Sequence, residues 1–210
     1  MREIVVVGGG GHAKVIIDVL KRLSEYDVIG YTDVSDRGSI LGIPYLGDDQ
    51  ILYKVVRSRG ELYAALGIGY LNPSNRRKEL AELLLSIGLE LPPIISPYAR
   101  VNDQVNIGKG SIVFDAVVIN PDAFIGEYVI INTNSTIEHD IQIGNHVHIG
   151  PGAVICGGSV IKDYCFIGAG ATVIHNVTIC NHSLIGAGST VIGDIDEPGT
   201  YVGNPAGRIK

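Results

Sequence analysis

From Ile95 onward the apolar positions keep a strict step of six: Ile95, Val101, Ile107, Val113, Ile119, Ile125, Ile131, Ile137, Ile143, Ile149, Ile155, Ile161, Ile167, Val173, Ile179, Ile185 and Val191. All seventeen are Ile or Val, although those residues make up only about a quarter of the chain. Two positions before them small residues recur, among them Ala99, Ser111, Ala123, Ser135, Ala153, Ser159 and Cys165, with Val or Ile elsewhere. Glycines repeat at 18, as Gly108, Gly126 and Gly144 and again as Gly150, Gly168 and Gly186. This periodicity fits neither a helix nor an isolated strand. It predicts a β-solenoid: each hexad is a short strand and a turn, and three hexads close one triangular coil. The β-branched residue fills the interior, and the small one sits at the tight corner. About five coils stacked at roughly 4.8 Å give a prism about 25 Å tall.

Before residue 92 the pattern differs. A buried strand over residues 4–7 runs into "GGGGH", and residues 12–23 carry a helical apolar stripe of Val15, Ile16, Val19, Leu20 and Leu23. A second strand ends at Asp33, residues 49–58 form a helix, and "ELYAALGIG" is a third strand. A last helix has Pro73 near its start and Gly88 past its end. Alternating strands and helices predict a small parallel, Rossmann-like α/β unit. The prolines of "LPPIISP" divide the chain into 1–91 and 92–210.

A net charge of −6 without a Lys/Arg block argues against nucleic acid as a partner. The N-terminal apolar run of four is too short for a signal peptide or a membrane span, so a soluble cytoplasmic protein is expected. Cys156, Cys165 and Cys180 form no C-x-x-C pair and read as reduced thiols.

Two stretches carry candidate chemistry. In "GGGGHAK", Gly8 and Gly10 fit the first two glycines of a dinucleotide fingerprint and Ala13 the third. A helix N-terminus offers free N–H groups to phosphate whatever the ligand. Asp33, ending the second strand, can accept hydrogen bonds from a ribose hydroxyl or a base N–H. In "STIEHD", His139 follows the interior Ile137 by two and so points outward near a corner, with Asp140 beside it. A carboxylate on one ring nitrogen fixes the tautomer and raises imidazole basicity. Gly157 follows His139 by 18 and stacks one coil above it, where a bare N–H can stabilise an oxyanion.

The hexads resemble the hexapeptide-repeat acyltransferases, whose coils wind as a left-handed parallel β-helix and which work as trimers. "GGGGHAK", Asp33, "ALG" ending at Gly67, "INTNSTIEHD", "HVHIGPGAVICGG" and "YVGNPAGRI" follow in order. With them the whole chain resembles the two-domain sugar acetyltransferases of the sialic acid and bacillosamine type. The resemblance implies an acetyl-CoA-dependent N-acetyltransferase of bacterial glycan biosynthesis acting on a nucleotide-linked 4-amino-6-deoxy sugar, UDP favoured. GDP-perosamine N-acetylation and sialic acid O-acetylation are its alternatives. It implies His139 as general base and Asp140 as its partner, where most bacillosamine-type relatives carry Glu. It places His148, Gly157, Ala169 and Ala187 along acetyl-CoA, and Gly10, Gly11, His12, Asp33, Gly67, Asn132 and Glu138 along the sugar nucleotide. No metal is implied, and in the homotrimer His139 of one subunit meets His148 and Gly157 of the next. A zinc hydratase of the γ-carbonic anhydrase type is a distant alternative, because His139 and His175 are 36 apart and Cys180 follows. A non-catalytic sugar-nucleotide sensor is another.

Overall fold

The computed structural model describes residues 1–69 and 76–210, so the expected helix start at Pro73 lies outside the described residues. Two compact units meet in sequence between Ser96 and Pro97.

The first unit runs β1 (Arg2–Val7), α1 (Gly11–Arg22), β2 (Tyr26–Thr32), β3 (Tyr45–Gly47), α2 (Ile51–Arg59), β4 (Tyr63–Leu66) and α3 (Arg76–Ser86). Its strands are all parallel, in the order β3-β2-β1-β4. β1 is central, and Ile4, Val5, Val6 and Val7 are buried, as a continuous apolar run requires. The three-residue β3 was not expected; it is too short for alternation to register. Strand order reverses at β1, which has β2 on one side and β4 on the other. The carboxyl ends of these strands therefore open a crevice at the switch point.

From Ile95 onward the sixfold step becomes structure directly, since each of the seventeen Ile or Val positions ends a two-residue strand, the last sixteen of them in the second unit. The strands stack into three parallel sheets. One joins strands 106–107, 124–125, 142–143, 160–161 and 178–179. A second joins strands 100–101 through 190–191, and the third carries strands 112–113 through 184–185 and then the tail, in which Thr200–Val202 pairs parallel to strand 184–185 and Gly207–Arg208 antiparallel to Thr200–Val202. Every rung pairs residues 18 apart within the coils, as Ile137 with Ile155.

The small residues also point inward: Ser135, Ser159 and Ser183 are fully buried. The first two donate to corner carbonyls of the next coil, Ser135 Oγ to Gly150 at 2.9 Å and Ser159 Oγ to Ile174 at 2.8 Å, while the Ser183 hydroxyl lies 3.3 Å from Cys180 Sγ. Successive coils touch closely enough to exclude a Cβ at the glycine columns. At Gly126 it would stand 2.7 Å from the Gly144 carbonyl carbon.

Each corner contains a left-handed residue, and these too form columns at 18. Gln104, Asp122, Asp140, Gly158 and Asn176 occupy one corner; Tyr128, His146, Tyr164 and His182 occupy another. The latter rings stack face to face, with centroids 4.9, 5.0 and 4.9 Å apart. Among the described residues no helix is long and apolar enough to cross a membrane.

The inward and outward positions differ sharply in what they cost to change. Ile149→Ala is expected to destabilise by about 2–5 kcal/mol through its cavity. Phe124→Ala, at a side chain 53% exposed, is expected to cost under about 0.5 kcal/mol. Urea midpoints of the two variants check the contrast.

Candidate active site

His139 and Asp140 form the two-residue turn between strands Thr136–Ile137 and Gln142–Ile143. Consecutive residues on an extended chain point to opposite sides. Here Asp140 has φ 58°, and this left-handed turn brings its carboxylate back alongside the preceding ring. Its Oδ2 lies 2.7 Å from His139 Nδ1. That hydrogen bond is the main cause that raises the imidazole above its ordinary value; desolvation opposes it, and the Asp140 and Glu138 charges add to it. Both side chains are about two-thirds exposed, at 63% and 64%. With Nδ1 engaged by the carboxylate, Nε2 is the ring nitrogen left on the side of Gly157.

Gly157 lies one coil on. A Cβ there would stand 2.8 Å from both Cε1 and Nε2 of His139, so only glycine leaves this ring its place. The coil-to-coil bonds at this corner run from the Gly158 N–H to the His139 carbonyl, 3.1 Å, and from the Asn176 N–H to the Gly157 carbonyl, 3.0 Å. The Gly157 N–H makes none of them. Gly157 thus meets His139 within one chain, which corrects the expectation that it arrives from a neighbouring subunit.

Glu138 is half-buried beside the pair. Its Oε2 accepts from Asn120 Nδ2 at 2.8 Å, and the Asn120 side-chain oxygen accepts from Asn102 Nδ2 at 3.0 Å. Neither asparagine was singled out from the sequence, although they stand 18 and 36 residues before Glu138. Cys156 follows Glu138 by 18, and burial and the Glu138 charge raise its thiol, which keeps it protonated. Cys165, pushed up to about 12 by burial, is inert.

The remaining expected residues of this unit gather at a different corner, between strands Ile130–Ile131 and Thr136–Ile137. His148 is buried with its ring edge-on to Phe166, and its Nε2 is 3.5 Å from Asn132 Nδ2. Ala169 and Ala187 stack along this corner at 18, both exposed: Ala169 N sits against Gly150, and Ala187 N against Gly168. One chain therefore presents two groups at successive corners: His139, Asp140, Glu138 and Gly157 at one, and Asn132, His148, Ala169 and Ala187 at the other.

In the first unit, Gly8–Gly11, Asp33 and Gly67 converge at the carboxyl ends of β1, β2 and β4. The glycines have different reasons. A Cβ on Gly8 would strike the Gly67 carbonyl at 2.9 Å, and one on Gly9 the Tyr31 ring at 2.7 Å. One on Gly67 would meet Ala13 Cβ at 2.9 Å, which also explains why position 13 is small. At Gly10 and Gly11 nothing lies within 4 Å, so the fold does not demand bare backbone there. Asp33 Oδ2 accepts from the Gly9 N–H at 2.7 Å, so this carboxylate also braces the turn. His12 lies in the first turn of α1, with Gly69 near its ring.

The turn lines a cleft with Lys14, Arg37, Ser39, Ile40 and Leu41. Tyr31 holds the Arg37 loop in shape: its hydroxyl accepts from the Arg37 N–H at 3.0 Å and donates to the Gly38 carbonyl at 2.7 Å. Lys14 and Arg37 are not evident from the sequence because nothing local links them. His139, His175 and Cys180 do not gather, and among the described residues no group of three His, Cys, Asp or Glu could hold a metal ion.

Comparison with known proteins bears on these clusters. Residues 3–83 match the PglD N-terminal domain family, and residues 122–157 and 158–193 match the bacterial transferase hexapeptide family. A variant of perosamine N-acetyltransferase from Caulobacter crescentus, solved with CoA and GDP-perosamine, is 33% identical with a TM-score of 0.91. The match covers 100% of this chain and 98% of that one. The acetyltransferase domain of PglB from Neisseria gonorrhoeae FA1090, solved with acetyl coenzyme A, is 31% identical with a TM-score of 0.89 over 99% of each chain. WeeI from Acinetobacter baumannii AYE is 25% identical with a TM-score of 0.87, covering 100% of both. A search of curated proteins gives no match. The shared fold is an α/β unit followed by a left-handed parallel β-helix. The chain belongs to the bacillosamine-type family of acetyl-CoA-dependent sugar acetyltransferases, with a PglD-type N-terminal domain and hexapeptide repeats.

Proposed function

We propose that the chain transfers the acetyl group of acetyl-CoA to the amine of a nucleotide-linked 4-amino-6-deoxy sugar. The observation that carries this reading is the His139–Asp140 pair packed against a bare Gly157. The amine attacks the thioester carbonyl, His139 Nε2 takes the proton released as the N–C bond forms, and Asp140 stabilises the imidazolium. The Gly157 N–H receives the tetrahedral oxyanion, and the C–S bond then breaks to release the CoA thiolate, which His139 can reprotonate. Direct transfer needs only that the two substrates be held together.

The acceptor reading rests on the first unit. Gly10 and Gly11 leave open space at the N-terminus of α1, and Lys14 and Arg37 bring cations to the same cleft. A diphosphate suits that combination of free N–H groups and positive charge. Among the described residues the second oxygen of Asp33, Oδ1, is engaged only by the Ser35 N–H at 3.3 Å, leaving capacity for a ribose or base hydrogen. UDP is favoured, as the bacillosamine-type resemblance implies. GDP-perosamine is the second reading, supported by the likeness to the Caulobacter enzyme.

The two corner groups support a homotrimer. In a single chain His139 and His148 belong to different corners of a convex prism. A neighbouring copy laying its His148 corner against the His139 corner would enclose acetyl-CoA beside the base, and cyclic closure makes three such sites.

His139→Ala is expected to lower kcat by about 10²–10⁴ with little change in stability. Activity requires neutral His139, so the rate rises with pH through the imidazole's pKa, which Asp140 holds above the ordinary imidazole value. Asp140→Asn removes the main cause of that elevation, so the rising limb should move to lower pH and the maximum rate should fall. Near-wild-type rates in the first variant, or an unmoved limb in the second, contradict the assignment. UDP should inhibit at lower concentration than GDP or CMP. Lys14→Ala, Arg37→Ala and Asp33→Ala should each raise KM for the sugar nucleotide while leaving that for acetyl-CoA nearly unchanged. Equal inhibition by the three nucleotides counts against a base-selective pocket. Mixed oligomers of His139→Ala and His148→Ala subunits should regain activity; no rescue despite proven exchange counts against a shared site.

A further inference from the structure

The catalytic corner continues downward as a chain of side-chain hydrogen bonds that the proposed mechanism does not use. Asn102, Asn120 and Glu138 occupy one outward column at 18-residue steps. Asn102 Nδ2 donates to the Ile119 carbonyl and to Asn120 Oδ1, both at 3.0 Å. Asn120 Nδ2 then donates to Glu138 Oε2 at 2.8 Å. The direction of the chain is set by chemistry: a carboxylate can only accept, so the Asn120 amide must turn its nitrogen toward Glu138 and its oxygen toward Asn102. Asn102 in turn is oriented by a backbone carbonyl, which also can only accept. Two amides are thus locked in one orientation, and both align their dipoles with the carboxylate.

The consequence lies at the far end. Glu138 precedes His139, and its Oε2 is consumed by Asn120. Oε1 accepts no hydrogen bond among the described residues. A free Glu side chain samples several rotamers, and freezing them costs free energy at the moment of binding. Here the two coils below have already frozen it. We propose that Asn120, backed by Asn102, is a positioning residue that holds Glu138 so that Oε1 accepts a hydrogen bond from the acceptor sugar beside the attacking amine. The inference rests on the acetyl-transfer reading for the identity of the sugar, but not for the existence of the relay. Asn120 touches no substrate and acts only through Glu138.

Kinetics of four variants test this. Asn120→Ala should raise KM for the amino-sugar nucleotide about tenfold, the scale of one hydrogen bond to a charged group. KM for acetyl-CoA and the pH profile set by His139 should stay put. Asn120→Asp keeps the shape but turns an acceptor toward a carboxylate, so it should be worse than Asn120→Ala; a role in packing alone makes it nearly wild-type. In a Glu138→Ala background, adding Asn120→Ala should cost nothing further, because the relay has lost its target. Additive losses, or an unchanged KM in Asn120→Ala, overturn the proposal. A crystal structure of Asn120→Ala decides it independently of activity: Glu138 should lose its fixed rotamer while His139 and Asp140 keep theirs, and a Glu138 held in place overturns the relay. A wild-type protein that acetylates no amino-sugar nucleotide refutes the acetyl-transfer reading instead, and the crystallographic test of the relay then stands by itself.

Discussion

The 18-residue register of the coils is the constraint on which the second unit depends. Backbone hydrogen bonds between parallel two-residue strands fix each coil on the last, so whatever stands outward at one position meets the residue 18 away. The interior tolerates only β-branched and small residues, and their uniformity keeps the register from slipping. The outer columns can then carry chemistry without threatening the fold. His139 stands against Gly157, Glu138 above Asn120 and Asn102, and Tyr128, His146, Tyr164 and His182 in one stacked pile. The same register limits what one chain can do. Residues in different phases of the repeat stand at different corners, which is why Asn132 and His148 lie apart from His139 and why the proposed site calls for a second copy of the chain.

Much of this is legible in the sequence because the repeat is so regular. Seventeen hexads predict seventeen strands, and the spacing of Gly157 from His139 predicts their contact. What escaped has identifiable causes. The pairing of His139 with Asp140 was expected, but the left-handed φ at position 140 that brings it about has no sequence signal beyond the tolerance of Asp for that conformation. Asn102 and Asn120 look like ordinary turn residues unless read at 18 and 36 before an acidic side chain. The serines at the small positions proved to be interior, with hydroxyls spent on corner carbonyls, so smallness there serves packing and hydrogen bonding together.

In the α/β unit the glycine run reads as one motif but divides in the structure. Gly8, Gly9 and Gly67 are glycine because neighbouring atoms leave no room, whereas Gly10 and Gly11 face open space. Only the second pair points to a ligand, and no pattern within "GGGG" separates them. Likewise Asp33 was expected at the ribose or the base, yet one of its oxygens braces the Gly9 amide. Packing and binding share that carboxylate, and its two oxygens make the division possible.

Coil register itself assembles the proposed catalytic corner, by setting the bare backbone of Gly157 against His139. The kcat of Gly157→Ala tests this most directly. The added methyl would stand 2.8 Å from His139 Nε2, and the exposed ring can swing away, so folding should be spared. A displacement of about 1 Å at a reacting group is enough to cost about 10²-fold in rate. A loss of that size or more is expected, with the urea midpoint nearly unchanged; a kcat equal to wild type would contradict it.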